Sequence, residues 1–238
     1  MGPQNLPQQL EKLRNRIASA ARSAGRSVDS VTLLAVGKGH PANLLRAAAA
    51  LGVRDFGESY VQEAVEKIGA LGDLGLTWHF IGRLQANKTR TVSAHFDWVH
   101  GVDRLKIAER LSEQRPFHAA ALNICLQVNI AGEPTKGGVE PGQLPELAAA
   151  VARLPRVKLR GLMCIPPDED DPARQRHWFA AMRRELESLN AAGLGLDTLS
   201  MGMSGDFESA ILEGATVIRI GTALFGERPS ALTGSQIA

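Results

Sequence analysis

Val31-Thr-Leu-Leu-Ala-Val-Gly-Lys38 is an apolar, β-rich run that ends in a lysine. Such a run suits a strand buried on both faces, as in a parallel sheet. Outward from it the pattern recurs, each time with a helical pattern behind it. Strand one covers 31–36 and is followed by a helix over about 42–51. Strand two (53–56) leads to a helix over about 59–70, and strand three (77–81) to one over about 87–94. Strand four (97–100) precedes a helix that starts at Asp103, a good N-cap residue, and carries Leu105, Ile107, Ala108 and Leu111. Strand five is the long run 122–130, with a helix over about 144–154. Strand six (158–164) precedes a helix carrying Trp178, Met182, Leu186 and Leu189 at spacings of 4, 4 and 3. Strand seven (198–201) leads to a short helix over about 207–213, and strand eight is 216–220.

Eight βα units in series predict an α/β protein with a parallel sheet closed into a (β/α)8 TIM barrel. A doubly wound open sheet is the alternative, but eight units would be many for one. An extra helix over 5–25 precedes the series: Leu6, Leu10, Leu13 and Ile17 form one apolar stripe, Ala20, Ala21 and Ala24 continue it, and Gly25 is placed to cap it. No linker or low-complexity segment interrupts the chain, so residues 1–238 are read as one domain, with a frayed tail over 229–238.

Composition excludes several classes. Hydrophobic residues make up 44% and charged residues 22%, ordinary for a globular protein, and a net charge of +2 gives no nucleic-acid footprint. No run reaches the roughly 18 apolar residues of a membrane span. Met1-Gly-Pro-Gln-Asn lacks the basic and apolar regions of a signal peptide. Cys125 and Cys164 lie inside apolar runs, which suits buried thiols in a reducing cytosol. A cytoplasmic location is expected.

In a TIM barrel the chemistry sits where strands exit into βα loops. Those residues are Lys38, Gly57-Glu-Ser59, Gly82-Arg-Leu-Gln85, Asn129, Pro166, Met201-Gly-Met-Ser204 and Gly221-Thr222. The loops after strands seven and eight often bind phosphate. Here Met203, Ser204 and Gly205 lead into a helix at Asp206, where free N–H groups point outward, while Gly221 permits close approach and Thr222 adds a hydroxyl. The same residues also read as an N-cap and a barrel-rim turn. A lysine after a strand is usually solvated, but Lys38 would face the barrel mouth, and its flanking Gly37 and Gly39 either clear space for a ligand or serve a turn. Arg219, inside an apolar strand, needs a partner: either an inward acid or a bound ring beside it. An amine facing a phosphate cup suits a phosphorylated aldehyde.

Other candidates carry less. Of Trp78 and His79 one points inward, read as a packed interior histidine. His95 and His100 make no metal motif. Lys88-Thr-Arg90 reads as a solvated helix start, and Asn129 with Glu133 and Lys136 as a group ordering the strand-five loop. No Gly-x-Gly-x-x-Gly or Walker sequence is present.

The sequence resembles the pyridoxal phosphate (PLP) homeostasis proteins of the YggS/PROSC type, single-domain relatives of the alanine racemase barrel. The resemblance runs in order through Leu34-Ala-Val-Gly-Lys38, Phe56-Gly-Glu-Ser-Tyr-Val-Gln-Glu63, Trp78-His-Phe-Ile-Gly-Arg-Leu-Gln-Ala-Asn-Lys88, Val128-Asn129, Arg160-Gly-Leu-Met163, Leu199-Ser-Met-Gly-Met-Ser-Gly-Asp206 and Ile218-Arg-Ile-Gly-Thr-Ala-Leu-Phe-Gly226. It implies a fold-type III PLP barrel with a Schiff base at Lys38 and the phosphate held by Ser204, Gly221 and Thr222, joined by Met203 and Gly205. It places Arg219 near the pyridine nitrogen, with Asn129 and Ser59 as further cofactor contacts. The implied role is to buffer PLP or deliver it to PLP-dependent apo-enzymes, as a monomer, with no established catalytic turnover and no nucleic-acid or membrane partner. Where the family usually reads Val-Ser-Lys-Thr and Gly-Glu-Asn-Tyr, this chain has Val36-Gly-Lys-Gly39 and Gly57-Glu-Ser-Tyr60, replacements that remove polar groups near the expected ring.

Two rival functions stand beside this one. A PLP-dependent amino-acid racemase would need a second acid–base group facing Lys38. Fold-type III racemases take that tyrosine from a β-rich second domain, which is expected to be absent because the chain ends soon after strand eight, and the only tyrosine, Tyr60, is read as part of a helix start. A cofactor-free Schiff-base lyase on a phosphate-binding barrel would show no chromophore.

Overall fold

A computed structural model describes residues 5–227. The tail expected to fray, 229–238, lies outside the described residues. Eight parallel strands pair in chain order and β8 closes on β1. They are β1 (Thr32–Val36), β2 (Asp55–Glu58), β3 (Thr77–Phe80), β4 (Trp98–Val102), β5 (Leu122–Gln127), β6 (Val157–Met163), β7 (Thr198–Ser200) and β8 (Val217–Ile220). The barrel read from the repeated βα units is therefore observed.

The helix α1 (Leu6–Ser23) comes first and buries the expected stripe of Leu6, Leu10, Leu13 and Ile17. The others wrap the barrel: α2 (Ala42–Ala50), α3 (Val61–Ala70), α4 (Thr89–His95), α5 (Leu105–Gln114), α6 (Leu144–Val151), α7 (Pro172–Ala191), α8 (Phe207–Leu212) and α9 (Thr222–Phe225). The main core fills the layer between strands and helices, with Phe56, Phe80, Phe96, Phe179 and Phe207 fully buried in it.

Several boundaries differ from the sequence reading, for identifiable reasons. β2 ends two residues later than expected because Glu58 stays in register with Phe80 and is buried, so a charge hides the strand's end. β5 stops at Gln127 rather than 130; Val128 makes only an isolated bridge to Val139. Asp103 does not cap α5: its carboxylate pairs with Arg104, which holds the cap position without a side-chain bond. In α7 the buried stripe runs through Phe179, Met182 and Leu189, while Trp178 lies partly exposed. The one-turn α9, starting at Thr222, has no counterpart in the sequence reading.

Candidate functional site

The strand exits converge as expected. Lys38 leaves β1, Ser59 leaves β2, Met203, Ser204 and Gly205 lie between β7 and α8, and Gly221 and Thr222 follow β8. Together with Arg219 and the apolar Val36, Ile81 and Ile165 they line one pocket of about 310 Å³. A neighbouring cavity of about 380 Å³ shares Val36, Lys38, Gly221 and Thr222 and adds His40 and Glu227. Lys38 thus stands between two lobes of the mouth. Asn129 lies outside both linings. Its amide donates to Glu133 O at 2.9 Å and accepts from Glu133 N at 3.1 Å, while Lys136 pairs with Glu133 at 2.7 Å and reaches Pro166 O. The loop-ordering reading of these three residues holds.

The cup that shares this pocket with Lys38 is cross-braced. Ser204 Oγ accepts from Ala223 N at 3.2 Å, tying the β7 loop to the start of α9. Asp206 sits at the N-cap of α8, but its carboxylate accepts from Met203 N at 2.6 Å instead of capping the helix. The acid therefore shapes the Met203–Gly205 turn and leaves the hydroxyls of Ser204 and Thr222 at the pocket wall.

Behind Lys38 lies a buried charge cluster that the sequence did not single out. Lys67 Nζ, on α3, donates to Glu58 Oε1 at 2.7 Å, to Glu63 Oε1 at 2.6 Å and to the Gly37 carbonyl at 2.7 Å. Glu63 Oε1 also accepts from Gly39 N at 2.6 Å. The backbone on both sides of Lys38 is thereby clamped to α3. Burial pushes the Glu58 carboxyl up to about 7, against the opposing pull of Lys67. Gly39 adopts φ +75°, a left-handed conformation glycine takes without cost, so the turn reading is correct for it. A Cβ at Gly37 would meet Glu58 Oε1 at 2.7 Å and Leu45 at 2.8 Å. Position 37 therefore faces the clamp and α2 rather than a ring in the mouth, contrary to the expectation that its side chain was lost from the ring's surroundings.

Arg219 is 5% exposed, and no ion pair reaches it among the described residues. Its Nη1 donates to Ser200 O at 2.7 Å and Ser200 Oγ at 3.0 Å, and its Nη2 to Cys164 O at 2.9 Å. The inward acid weighed as its partner is not there. A guanidinium has five N–H donors, so three bonds leave others for the pocket it lines. Burial lowers its pKa from the ordinary arginine range, yet an arginine remains charged in proteins. The site thus sets an amine, two hydroxyls and an unpaired buried cation around a partly apolar slot. The volume lies at the small-ligand end of binding pockets.

Comparison with known proteins agrees with this arrangement. A profile of the family "Alanine racemase, N-terminal domain" matches residues 8–229. The chain belongs to the alanine racemase N-terminal domain family. Within it, a protein of Pseudomonas aeruginosa named "Pyridoxal phosphate homeostasis protein" is 56% identical over 223 residues, covering 94% of this chain and 96% of that one. One of the same name from Escherichia coli K12 is 50% identical over 222 residues, covering 92% and 95%. PipY of Synechococcus elongatus PCC7942, solved with PLP bound, superposes with a TM-score of 0.78 at 42% identity, covering 90% of this chain and 99% of its own.

The sequence reading placed Lys38, Ser59, Met203, Ser204, Gly205, Arg219, Gly221 and Thr222 together, and the structure brings them together. It missed Glu58 and Lys67, although Glu63 and Lys67 stand at helical i,i+4 spacing. It read His79 correctly as interior, yet set aside His100, which is fully buried beside it.

Proposed function

We propose that this chain binds PLP through Lys38 and serves PLP homeostasis, holding the cofactor and releasing it to apo-enzymes in the cytoplasm, as a monomer. One observation carries the reading: the Lys38 amine, the hydroxyl residues Ser204 and Thr222 and the cation of Arg219 line a single pocket. The PLP-bound structure of PipY, at 42% identity, supports it. PLP supplies an aldehyde that condenses with a primary amine, and Lys38 Nζ is the amine in reach. The hydroxyls and the Gly205 and Gly221 backbone would cradle its phosphate, and the spare Arg219 donors would face its ring nitrogen. Ser59, which also lines the slot, would border the ring. The two buried, unpaired thiols fit a reducing compartment.

The racemase alternative finds less support here. Tyr60 is 57% exposed at the start of α3 and does not line the slot that holds Arg219. An arginine facing the ring nitrogen will not readily give up a proton to it, which leaves the ring a weaker electron sink. Both points favour a site that retains or hands over its ligand. Titrating the protein with PLP while recording the visible spectrum tests the reading: a band should grow to one equivalent and be absent in Lys38→Ala. No band in the parent protein, or an equal band in Lys38→Ala, would refute it.

A further inference from the structure

Beneath Arg219 the barrel interior holds a single file of polar side chains from β8, β7, β4, β3 and β2. Arg219 Nη1 lies 3.0 Å from Ser200 Oγ, and Ser200 Oγ lies 2.7 Å from His100 Nδ1. His100 Nε2 lies 3.0 Å from His79 Nδ1, and His79 Nε2 lies 3.0 Å from Asp55 Oδ1. Four of the five residues are buried, and Asp55 is partly open to the opposite end of the barrel. TIM-barrel interiors are dominated by branched apolar side chains. A polar file there is costly unless every member is bonded, and each of these five is.

The chemistry of the two ends orders the protons between them. A guanidinium only donates and a carboxylate only accepts. Burial, with the nearby His79 and Arg219, holds the His100 pKa well below the ordinary histidine value, so its ring is neutral. Asp55 needs a donor, so His79 carries a proton on Nε2. From the other end, Ser200 Oγ accepts from Arg219, so its own hydrogen goes to His100 Nδ1; the neutral His100 then carries its proton on Nε2 and donates to His79 Nδ1. Every hydrogen in the file points from Arg219 towards Asp55. The reverse order would set the bare Nε2 lone pair of His79 against a carboxylate.

We propose that Arg219, Ser200, His100, His79 and Asp55 form one polarised relay, through which a change at Asp55 on the barrel floor is felt at the cation facing the mouth. These are positioning residues for Arg219. The effect on a bound ring rests on the PLP reading above; the proton order does not.

The test has two parts. In the protein without PLP, ¹⁵N NMR of labelled histidines should show His79 and His100 both as the Nε2–H tautomer near neutral pH. Asp55→Asn puts an amide, able to donate or accept, where only an acceptor stood. The Nδ1–H form should then appear at His79 and also at His100, one ring further along. A His100 that is charged or Nδ1–H in the parent protein overturns the proposal, as does a change confined to His79. Should Asp55→Asn not fold, the parent tautomers still decide the direction. In the PLP-loaded protein, Asp55→Asn should shift the visible band, and the shift should vanish in a Ser200→Ala background, where the file is cut. An absent shift, or one of equal size in both backgrounds, would mean that nothing passes through the file and would overturn the transmission. Failure of the parent protein to take up PLP would sink the proposed function, while the tautomers would still decide the relay.

Discussion

Replacing Lys67 with methionine removes a cation that holds three groups at once: Glu58 at 2.7 Å, Glu63 at 2.6 Å and the Gly37 carbonyl at 2.7 Å. Methionine keeps most of the apolar stem, so the loss is charge and hydrogen bonds. Glu58 suffers most, because its side chain is wholly buried and its Oε2 has no hydrogen-bond partner. Burial already raises its carboxyl from the ordinary 4.5 to about 7. An acid whose pKa is raised by folding stabilises the protein fully below its unfolded value, and that contribution is lost as pH rises through the folded one. For Glu58 the loss amounts to about 3 kcal/mol between its unfolded and folded pKa values, at about 1.4 kcal/mol per pH unit. Without Lys67 the carboxyl rises further and the decline extends to higher pH. At pH 8, Lys67→Met should therefore cost about 3–5 kcal/mol relative to the parent, the penalty for stranding one member of a buried ion pair. At pH 5 Glu58 is neutral in both proteins, and the cost should shrink to about 1–2 kcal/mol of lost hydrogen bonding. Urea unfolding of both proteins at the two pH values measures this, and adding Glu58→Gln should restore most of the pH 8 loss. An equal cost at pH 5 and pH 8 would refute the reasoning.

Three further outcomes follow from the site. Thr222→Val removes one hydroxyl with little change of shape and should weaken PLP binding about ten- to a hundred-fold, one charge-assisted hydrogen bond of about 1.5–3 kcal/mol; an unchanged dissociation constant by fluorescence titration would place the phosphate elsewhere. Incubation of the PLP-loaded protein with L-alanine, followed by chiral chromatography, should show no racemisation at an ordinary enzymatic rate, on the order of 1 per second; such a rate, lost in Lys38→Ala, would make the protein a racemase. Burial pushes both Cys125 and Cys164 up to about 12, so neither should react with a thiol reagent until the chain unfolds, and rapid labelling of the native protein would contradict their placement.

What could be read in the sequence follows from which interactions are local. The alternation of buried strands and amphipathic helices is local, so runs such as 31–36 and the stripe of Leu6, Leu10, Leu13 and Ile17 declared the barrel and its leading helix. The barrel's own geometry then brought strand exits together, which is why Lys38, Ser204 and Thr222 could be paired across some 180 residues of chain. Burial of charge was not legible. Glu58 and Lys67 look like ordinary surface residues until β2 and α3 pack, and only then does each become the other's partner. The interior file was hidden for a similar reason: His100 and Ser200 are 100 positions apart, and β4 and β7 meet only across the closed barrel. Asp103 and Trp178 misled because each satisfies a local rule that another contact overrides: Asp103 pairs with its neighbour Arg104, and Phe179 rather than Trp178 packs inward beside Met182 and Leu189.

The central claim is that Lys38 is the amine that holds the cofactor. Borohydride reduction of the PLP-loaded protein, followed by proteolysis and peptide mass mapping, tests it directly. The pyridoxyl mass should fall on the peptide carrying Lys38 and disappear in Lys38→Ala. An adduct found mainly on Lys88 or Lys136, or on no lysine, would contradict the account.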